Sequence, residues 1–314
     1  MRRYFPFLRG KQNELMALRE LAHEIAEHGS IIPIIEPVNG NQTTRISLDR
    51  YIEVSMPFLF VSNPSYGDFG NNPEPLFTGL TSEVLMEYDN WTPALQVNVN
   101  STAAGIAAFL QRYEHFEVAI IYNGLPANAA AATQLNHGHV AHHVFIEGAV
   151  GAAYINGIDP ARRAMIADRF HRQPRNADYP ATEFFSDANT VAGNPNSLDF
   201  GDYSIVGNHF AESGGPAYAV AVHHIHFEGE DPGPLHINHF ISDHQDAAVN
   251  TSGKVVEAVH NLVAAIDNLH PHDTAACDEY REIDHEQTSR GLGYLKRLAI
   301  QHHLEVMLNG GIVL

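Results

Sequence analysis

Ile31-Ile32-Pro33-Ile34-Ile35-Glu36-Pro37 is a short, continuous apolar run, rich in β-branched residues, that ends in a carboxylate. A strand with water on one face alternates apolar and polar residues; a run without alternation is buried on both faces, the habit of parallel sheets covered by helices. Immediately before it, residues 12–28 (QNELMALRELAHEIAEH) carry Leu15, Leu18, Leu21, Ala22 and Ile25 at helical spacing until Gly29 stops them. Helix followed by buried strand is the building block of a βαβ chain.

The block recurs. Further apolar runs are Pro57 to Ser62 ending at Asn63, Leu95 to Val99 ending at Asn100, and Val118 to Tyr122 ending at Asn123. They continue with His143 to Ile146 ending at Glu147, Ala164 to Ala167 ending at Asp168, Tyr203 to Val206, and Tyr218 to Phe227. Helical spacing appears over 43–55, 75–88, 101–113, 127–135, 254–269 and 290–309. Eight strands alternating with helices predict an α/β chain of TIM-barrel-like (β/α)8 type, a single domain over 1–314 with the C-terminal helices 254–309 packing on the barrel. Residues 170–200, rich in Pro, Asn and Asp, read as an irregular binding loop or lid. Residues 218–242 read as a β-hairpin turning at Gly229-Glu230-Asp231-Pro232-Gly233-Pro234. A doubly wound sheet is the competing arrangement, and it shares the ligand crevice beyond the strand C-termini.

With 37 acidic against 18 basic residues the net charge is −19, a field that repels phosphate backbones and anionic membranes, so broad nucleic-acid binding is disfavoured. Only three of the basic residues are lysines: Lys11, Lys254 and Lys296. The single cysteine, Cys277, excludes an internal disulfide and suits a reducing compartment. No stretch resembles a secretory signal or a membrane span, and a cytoplasmic location is expected.

The residues that end the runs suggest the site. Glu36, Asn63, Asn100, Asn123, Glu147 and Asp168 gather at one mouth if their strands are parallel, as barrel enzymes gather catalytic groups. Carboxylates so placed hold Mg²⁺ or Mn²⁺ (Glu36, Glu147 and Asp168 as ligands), divide into acid and base, or bind a cation, and the sequence leaves these open. Asp187 and Asp202 extend the catalytic set. Arg175, Asp178 and Tyr179 in the 170–200 segment are expected to contact substrate, as are Lys296 and, at the start of the first helix, Arg9 and Lys11. Basic groups at a helix N-terminus ask for an acidic partner, either a bound phosphate or a salt bridge to Glu36 or Glu147. The alternative for Asn and Asp throughout is turn formation. Of the 21 histidines, His224 and His226 share a strand face while His223 lies opposite, so zinc is poorly supported. Gly214-Gly215-Pro216-Ala217 precedes a strand and so is not a phosphate loop.

Several blocks resemble the bacterial "beta" protein family, a largely uncharacterised group found among phage-defence and mobile-element genes. They include Tyr4-Phe5-Pro6-Phe7-Leu8-Arg9-Gly10-Lys11-Gln12, Ile32-Pro33-Ile34-Ile35-Glu36-Pro37-Val38, Phe145-Ile146-Glu147-Gly148, Arg175-Asn176-Ala177-Asp178-Tyr179-Pro180 and Phe200-Gly201-Asp202-Tyr203-Ser204-Ile205-Val206-Gly207. Others are Glu183-Phe184-Phe185-Ser186-Asp187, His239-Phe240-Ile241-Ser242-Asp243 and Gly291-Leu292-Gly293-Tyr294-Leu295-Lys296. The resemblance implies a defence or mobile-element context and a nuclease-like protein partner; it carries over no catalytic role. The expectation is a barrel hydrolase or lyase acting on a small phosphorylated or nucleotide-like substrate. Its rivals are a non-catalytic defence subunit that senses a phage product or regulates a nuclease, and a carbohydrate-directed hydrolase, for which one tryptophan is a thin platform.

Overall fold

In the computed structural model, residues 2–190, 199–211, 218–229, 232–245, 249–266 and 273–312 are described. The Gly214–Ala217 block, Glu230 and Asp231 of the hairpin turn, and the end of the 254–269 helix lie outside these. The chain resolves into two compact units, the first comprising Met1–Leu15, Ala22–Asp168 and Gly193–Tyr203, the second Met16–Leu21, Arg169–Ala192 and Ser204–Leu314.

The first unit is a parallel (β/α)8-type barrel. Its strands are β1 (Phe7–Leu8), β2 (Ile34–Ile35), β3 (Phe58–Val61), β4 (Trp91–Val97), β5 (Val118–Tyr122), β6 (Val140–Ile146) and β7 (Arg163–Ala167), and each pairs with the next. Between β7 and the last barrel strand comes β8 (Thr182–Ser186), which belongs elsewhere, so the barrel ends with β9 (Asp199–Asp202) beside β7. First and last strands meet where Tyr4 bridges Phe200: Phe5 N–H donates to Phe200 O at 2.8 Å and Phe200 N–H to Arg3 O at 3.1 Å. Gly201 makes this seam possible, because a Cβ there would stand 2.0 Å from the Phe5 carbonyl oxygen.

Helices α1 (Gln12–Glu20), α2 (Ala22–His28), α3 (Gln42–Glu53), α4 (Glu74–Leu76, continued as a π-helix over Phe77–Leu85), α5 (Ala103–Arg112), α6 (Ala129–Gln134) and α7 (Ala152–Asn156) alternate with these strands. Asn41, Thr102 and Asn128 cap α3, α5 and α6 by accepting from free backbone N–H groups of the first turn. The expected helix over 12–28 is two pieces, with a turn at Leu21.

The strand count is as expected, but the membership differs. β1 was not among the apolar runs, since two residues behind a proline carry no period. The 203–206 run is a short 3₁₀ turn at Ser204–Val206, and the barrel strand there lies just before it. The 218–227 run is not a barrel strand at all.

That run supplies β10 (Ala221–Phe227), which pairs antiparallel with β11 (Leu235–Ile241), the expected hairpin. β8, from within the stretch read as irregular, adds a third antiparallel strand on β11. In this second unit α8 (Thr251–Ile266), α9 (Ala275–Glu286) and α10 (Leu292–Val306) bury Val255, Val259, Leu262, Tyr280, Ile283 and Leu298 in one cluster with Val220 and Val222. Each such side chain contributes roughly 1.5–3 kcal/mol on full burial. α9 was not anticipated; Thr274 starts it by accepting from the Cys277 N–H. Among the described residues no helix is long and apolar enough to cross a membrane.

Candidate functional site

Alternate side chains of a barrel strand face inward. Phe5, Phe7, Ile34, Leu59, Val61, Ala94, Ala119, Ile121, Val144, Ala164 and Ile166 pack with Tyr203 as one buried cluster, which identifies the inward register. Two residues further along, the same register reaches Arg9, Glu36, Asn63, Gln96, Asn123 and Asp168. The apolar filling is thus topped by a polar layer at the C-terminal ends of the strands, the face on which barrel enzymes place their chemistry.

Glu36 is the centre of that layer and is fully buried. Its Oε2 pairs with the Arg9 guanidinium; its Oε1 accepts from the Ser65 backbone N–H at 2.7 Å and from the Gln96 amide at 2.9 Å. Gln96 is held in turn by Asn63, whose side-chain oxygen takes the Gln96 N–H at 2.8 Å and whose amide donates to Gln96 O at 2.9 Å. Of the two partners open for Arg9, the structure shows the salt bridge to Glu36. The Arg9 backbone N–H goes to Glu14 Oε2 at 2.6 Å, with Glu14 in the first turn of α1. Gly10 allows the approach: its φ is +61°, and a Cβ would come within 2.9 Å of Glu36 O.

The Arg9 guanidinium lies against three aromatic faces, 4.7 Å from the Tyr66 ring centre, 5.5 Å from Phe7 and 5.6 Å from Tyr203. Burial raises the Tyr203 pKa well above the phenol range; Arg9 opposes this, and the negative charges of Glu36 and Asp168 add to it. Its hydroxyl is therefore a lasting donor, and it feels Arg9, Glu36 and Asp168 together.

Not every residue expected at the mouth is on the inward register. Ile146 faces in, so its neighbour Glu147, an exposed residue, does not. Asn100 is an exposed turn residue whose N–H donates to Asn98 Oδ1 at 2.9 Å. β4 runs from Trp91 to Val97, starting four residues and ending two residues before its apolar run, so the mouth residue from this strand is Gln96. Asp202 precedes the inward-facing Tyr203 and accepts from the Tyr4 hydroxyl at 2.8 Å; both are buried. Lys11 is half-buried and Asn123 and Asp168 are exposed. Ser65, Tyr66, Gln96 and Glu14 were missed, and only Gln96 carried a signal, the period of two from Ala94.

The remaining expected residues belong to the second unit. Asp187 is exposed at the end of β8 and its carbonyl accepts from Thr190. Arg175 and Asp178 satisfy each other through two parallel hydrogen bonds of 2.9 and 2.7 Å, which lower the Asp178 pKa. Tyr179 and Lys296 both line a cavity.

Among the described residues, Glu36, Glu147 and Asp168 do not form a group close enough to share an ion; the one such trio is His224, Cys277 and His302, with candidate ligand atoms within 4.8 Å of one another. All three are buried. The two rings stack face to face, 3.8 Å between centres and 24° apart, instead of converging on a common point. His302 Nε2 donates to Ile225 O at 2.8 Å, so Nδ1 takes the Thr274 hydroxyl at 2.8 Å. Burial lowers the His224 pKa and raises that of Cys277. This trio is a buried, hydrogen-bonded part of the core.

No protein-family model, curated protein or solved structure matches the chain.

Proposed function

We propose that the barrel mouth is the active site of a hydrolase or lyase that acts on a small phosphorylated or nucleotide-like substrate, within the phage-defence or mobile-element setting that the "beta" family resemblance suggests. The observation that carries this reading is the Tyr203 hydroxyl, kept protonated by burial and in the field of Arg9, Glu36 and Asp168. A donor that keeps its proton can hydrogen-bond to negative charge developing on the substrate, and a carboxylate open to solvent can take a proton. Glu36, with Arg9, Ser65 and Gln96 on it, serves as the electrostatic floor that fixes Arg9 and Gln96. Tyr66 offers a flat face for a base. Mg²⁺ or Mn²⁺ would arrive with the substrate's phosphate and screen its charge.

The test is a screen of nucleotides and phosphomonoesters with Mg²⁺ or Mn²⁺, read by turnover and by shift of the unfolding midpoint. Asp168→Asn and Tyr203→Phe are expected to lower kcat by roughly 10²–10⁴ with little change in KM. Glu147→Gln, off the inward register, is expected to leave kcat unchanged. Turnover that survives both mouth substitutions would sink the proposal. A second reading, a non-catalytic sensor, is favoured by the saturation of Glu36 with donors; midpoint shifts without turnover would select it.

A further inference from the structure

β10 and β11 set a line of hydrogen-bonded imidazoles beside a cavity of about 280 Å³ in the second unit. Among the described residues, Phe170, Tyr179 and His223 bring rings to its wall, and Val222 and Leu295 bring aliphatic side chains. Arg172 and Lys296 line it as well.

His223 and His239 are direct cross-strand partners with Nδ1 atoms 2.7 Å apart. His239 Nε2 lies 3.1 Å from Glu183 Oε1 on β8, and Glu183 Oε2 lies 2.9 Å from Nδ1 of the exposed His171. An ionised carboxylate only accepts, so His239 carries its proton on Nε2 and presents a lone pair at Nδ1. Two lone pairs at that separation would repel, so His223 donates from Nδ1 and keeps Nε2 as an acceptor. Burial, then the neighbouring His239, holds the His223 pKa down to about 3, and burial lowers that of His239 against the pull of Glu183. Both rings are therefore neutral at neutral pH. Tyr179 stacks on His239 at 4.6 Å and meets the edge of His223 at 4.8 Å, while Phe170 packs on His223 at 4.9 Å. These rings fix the orientation that the hydrogen bonds select. The bond at Nδ1 is the one hydrogen bond of the His223 ring among the described residues, which leaves its second nitrogen for a ligand.

We propose that this cavity binds a small aromatic molecule bearing a hydroxyl, whose O–H donates to His223 Nε2 while its ring packs against Phe170, Tyr179 and the aliphatic wall. Aromatic walls favour a ring with edge or face contacts. Glu183 and His239 are positioning residues: the carboxylate sets the tautomer of His239, and His239 sets that of His223. An ether of the same shape would set lone pair against lone pair and leave the imidazole unpaired. The contact at His223 asks nothing of the charge on Arg172 or Lys296.

The experiment titrates the full chain with 4-fluorophenol and 4-fluoroanisole, read by ¹⁹F spectra. Saturable binding of the phenol is expected, about three- to tenfold tighter than that of the more apolar anisole, the net worth of one hydrogen bond. ¹⁵N spectra of the wild-type protein at neutral pH should show His239 protonated on Nε2 and His223 on Nδ1, with the His223 Nε2 signal moving as the phenol is added. His223→Phe should abolish the preference for the phenol. Glu183→Leu should weaken it by freeing His239 to hold its proton on either nitrogen, and Glu183→Gln, which keeps an accepting oxygen, should restore it. An anisole that binds the unaltered protein as tightly as the phenol, no saturable binding of the phenol, or a His223 protonated on Nε2 would each overturn the proposal. Because these three readings use the unaltered protein, a variant that fails to fold does not blunt the test.

Discussion

The barrel mouth and the second unit each place a buried or half-buried carboxylate at hydrogen-bonding distance from a basic side chain, yet the two pairs differ in charge. At the mouth, Glu36 is fully buried and neutralised by a guanidinium that stays charged at any working pH. In the second unit, Glu183 faces imidazoles, and burial lowers the pKa of both His239 and His223. The first arrangement is a rigid, permanent dipole; the second is a tautomer-setting chain whose proton positions are chosen by geometry. A fixed ion pair suits holding a substrate's surroundings still, and a neutral imidazole suits accepting a hydrogen bond.

The sharpest way to break this contrast is to remove one side of the mouth pair. Glu36→Ala leaves Arg9 buried without its counter-ion and should cost about 3–5 kcal/mol in denaturant unfolding. Replacing both Arg9 and Glu36 by Met should recover much of that loss; a double variant no better than the single one would mean that the pair is not the unit of stability. Gly201→Ala at the barrel seam should cost about 1–3 kcal/mol or more, since the Phe5 carbonyl must move.

Acid should then separate the imidazoles from the ion pair. His142 in the barrel is held to about 3 by burial, then by Arg3, His143 and Arg162; His143 to about 4 by burial, then by Arg162; His223 to about 3. The unfolded chain binds a proton at each below about 6.5, whereas the folded chain does so only near those lower values. Stability is therefore full above about pH 6.5 and is lost as pH falls towards about 4, by up to about 1.4 kcal/mol per pH unit for each histidine. His142→Phe and His223→Phe should each flatten the slope, measured as unfolding midpoint against pH; an unchanged slope in both would show that these rings are not the acid-sensitive groups. At the small end, Arg175→Gln should leave the midpoint unmoved, because its pair with Asp178 is exposed.

What was legible in the sequence was period and composition. Non-alternating apolar runs between amphipathic helices pointed to a parallel barrel, because strands covered on both faces carry few charged residues in mid-run. The rule that the run's last polar residue marks the mouth found Glu36, Asn63, Asn123 and Asp168. It failed at Asn100 and Glu147, where the strand's true register put Gln96 and Ile146 inward instead. β1 was invisible for a different reason: Phe7 and Leu8 become a strand only because β2 supplies partners for their backbone.

The partners of charged groups were the tertiary structure's to decide. Arg9 and Glu36 are 27 residues apart, and Gln96 is 60 from Glu36. No local pattern encodes such separations, because they depend on which strands lie side by side. The same holds for His223, His239 and Glu183, which alternation alone scatters over two strands and a segment that looked irregular. Pairing in register brought them into one line. The sequence by itself determined that polar groups would end the strands; only the folded register decided which of them meet, because a shift of one residue turns a side chain to the opposite face.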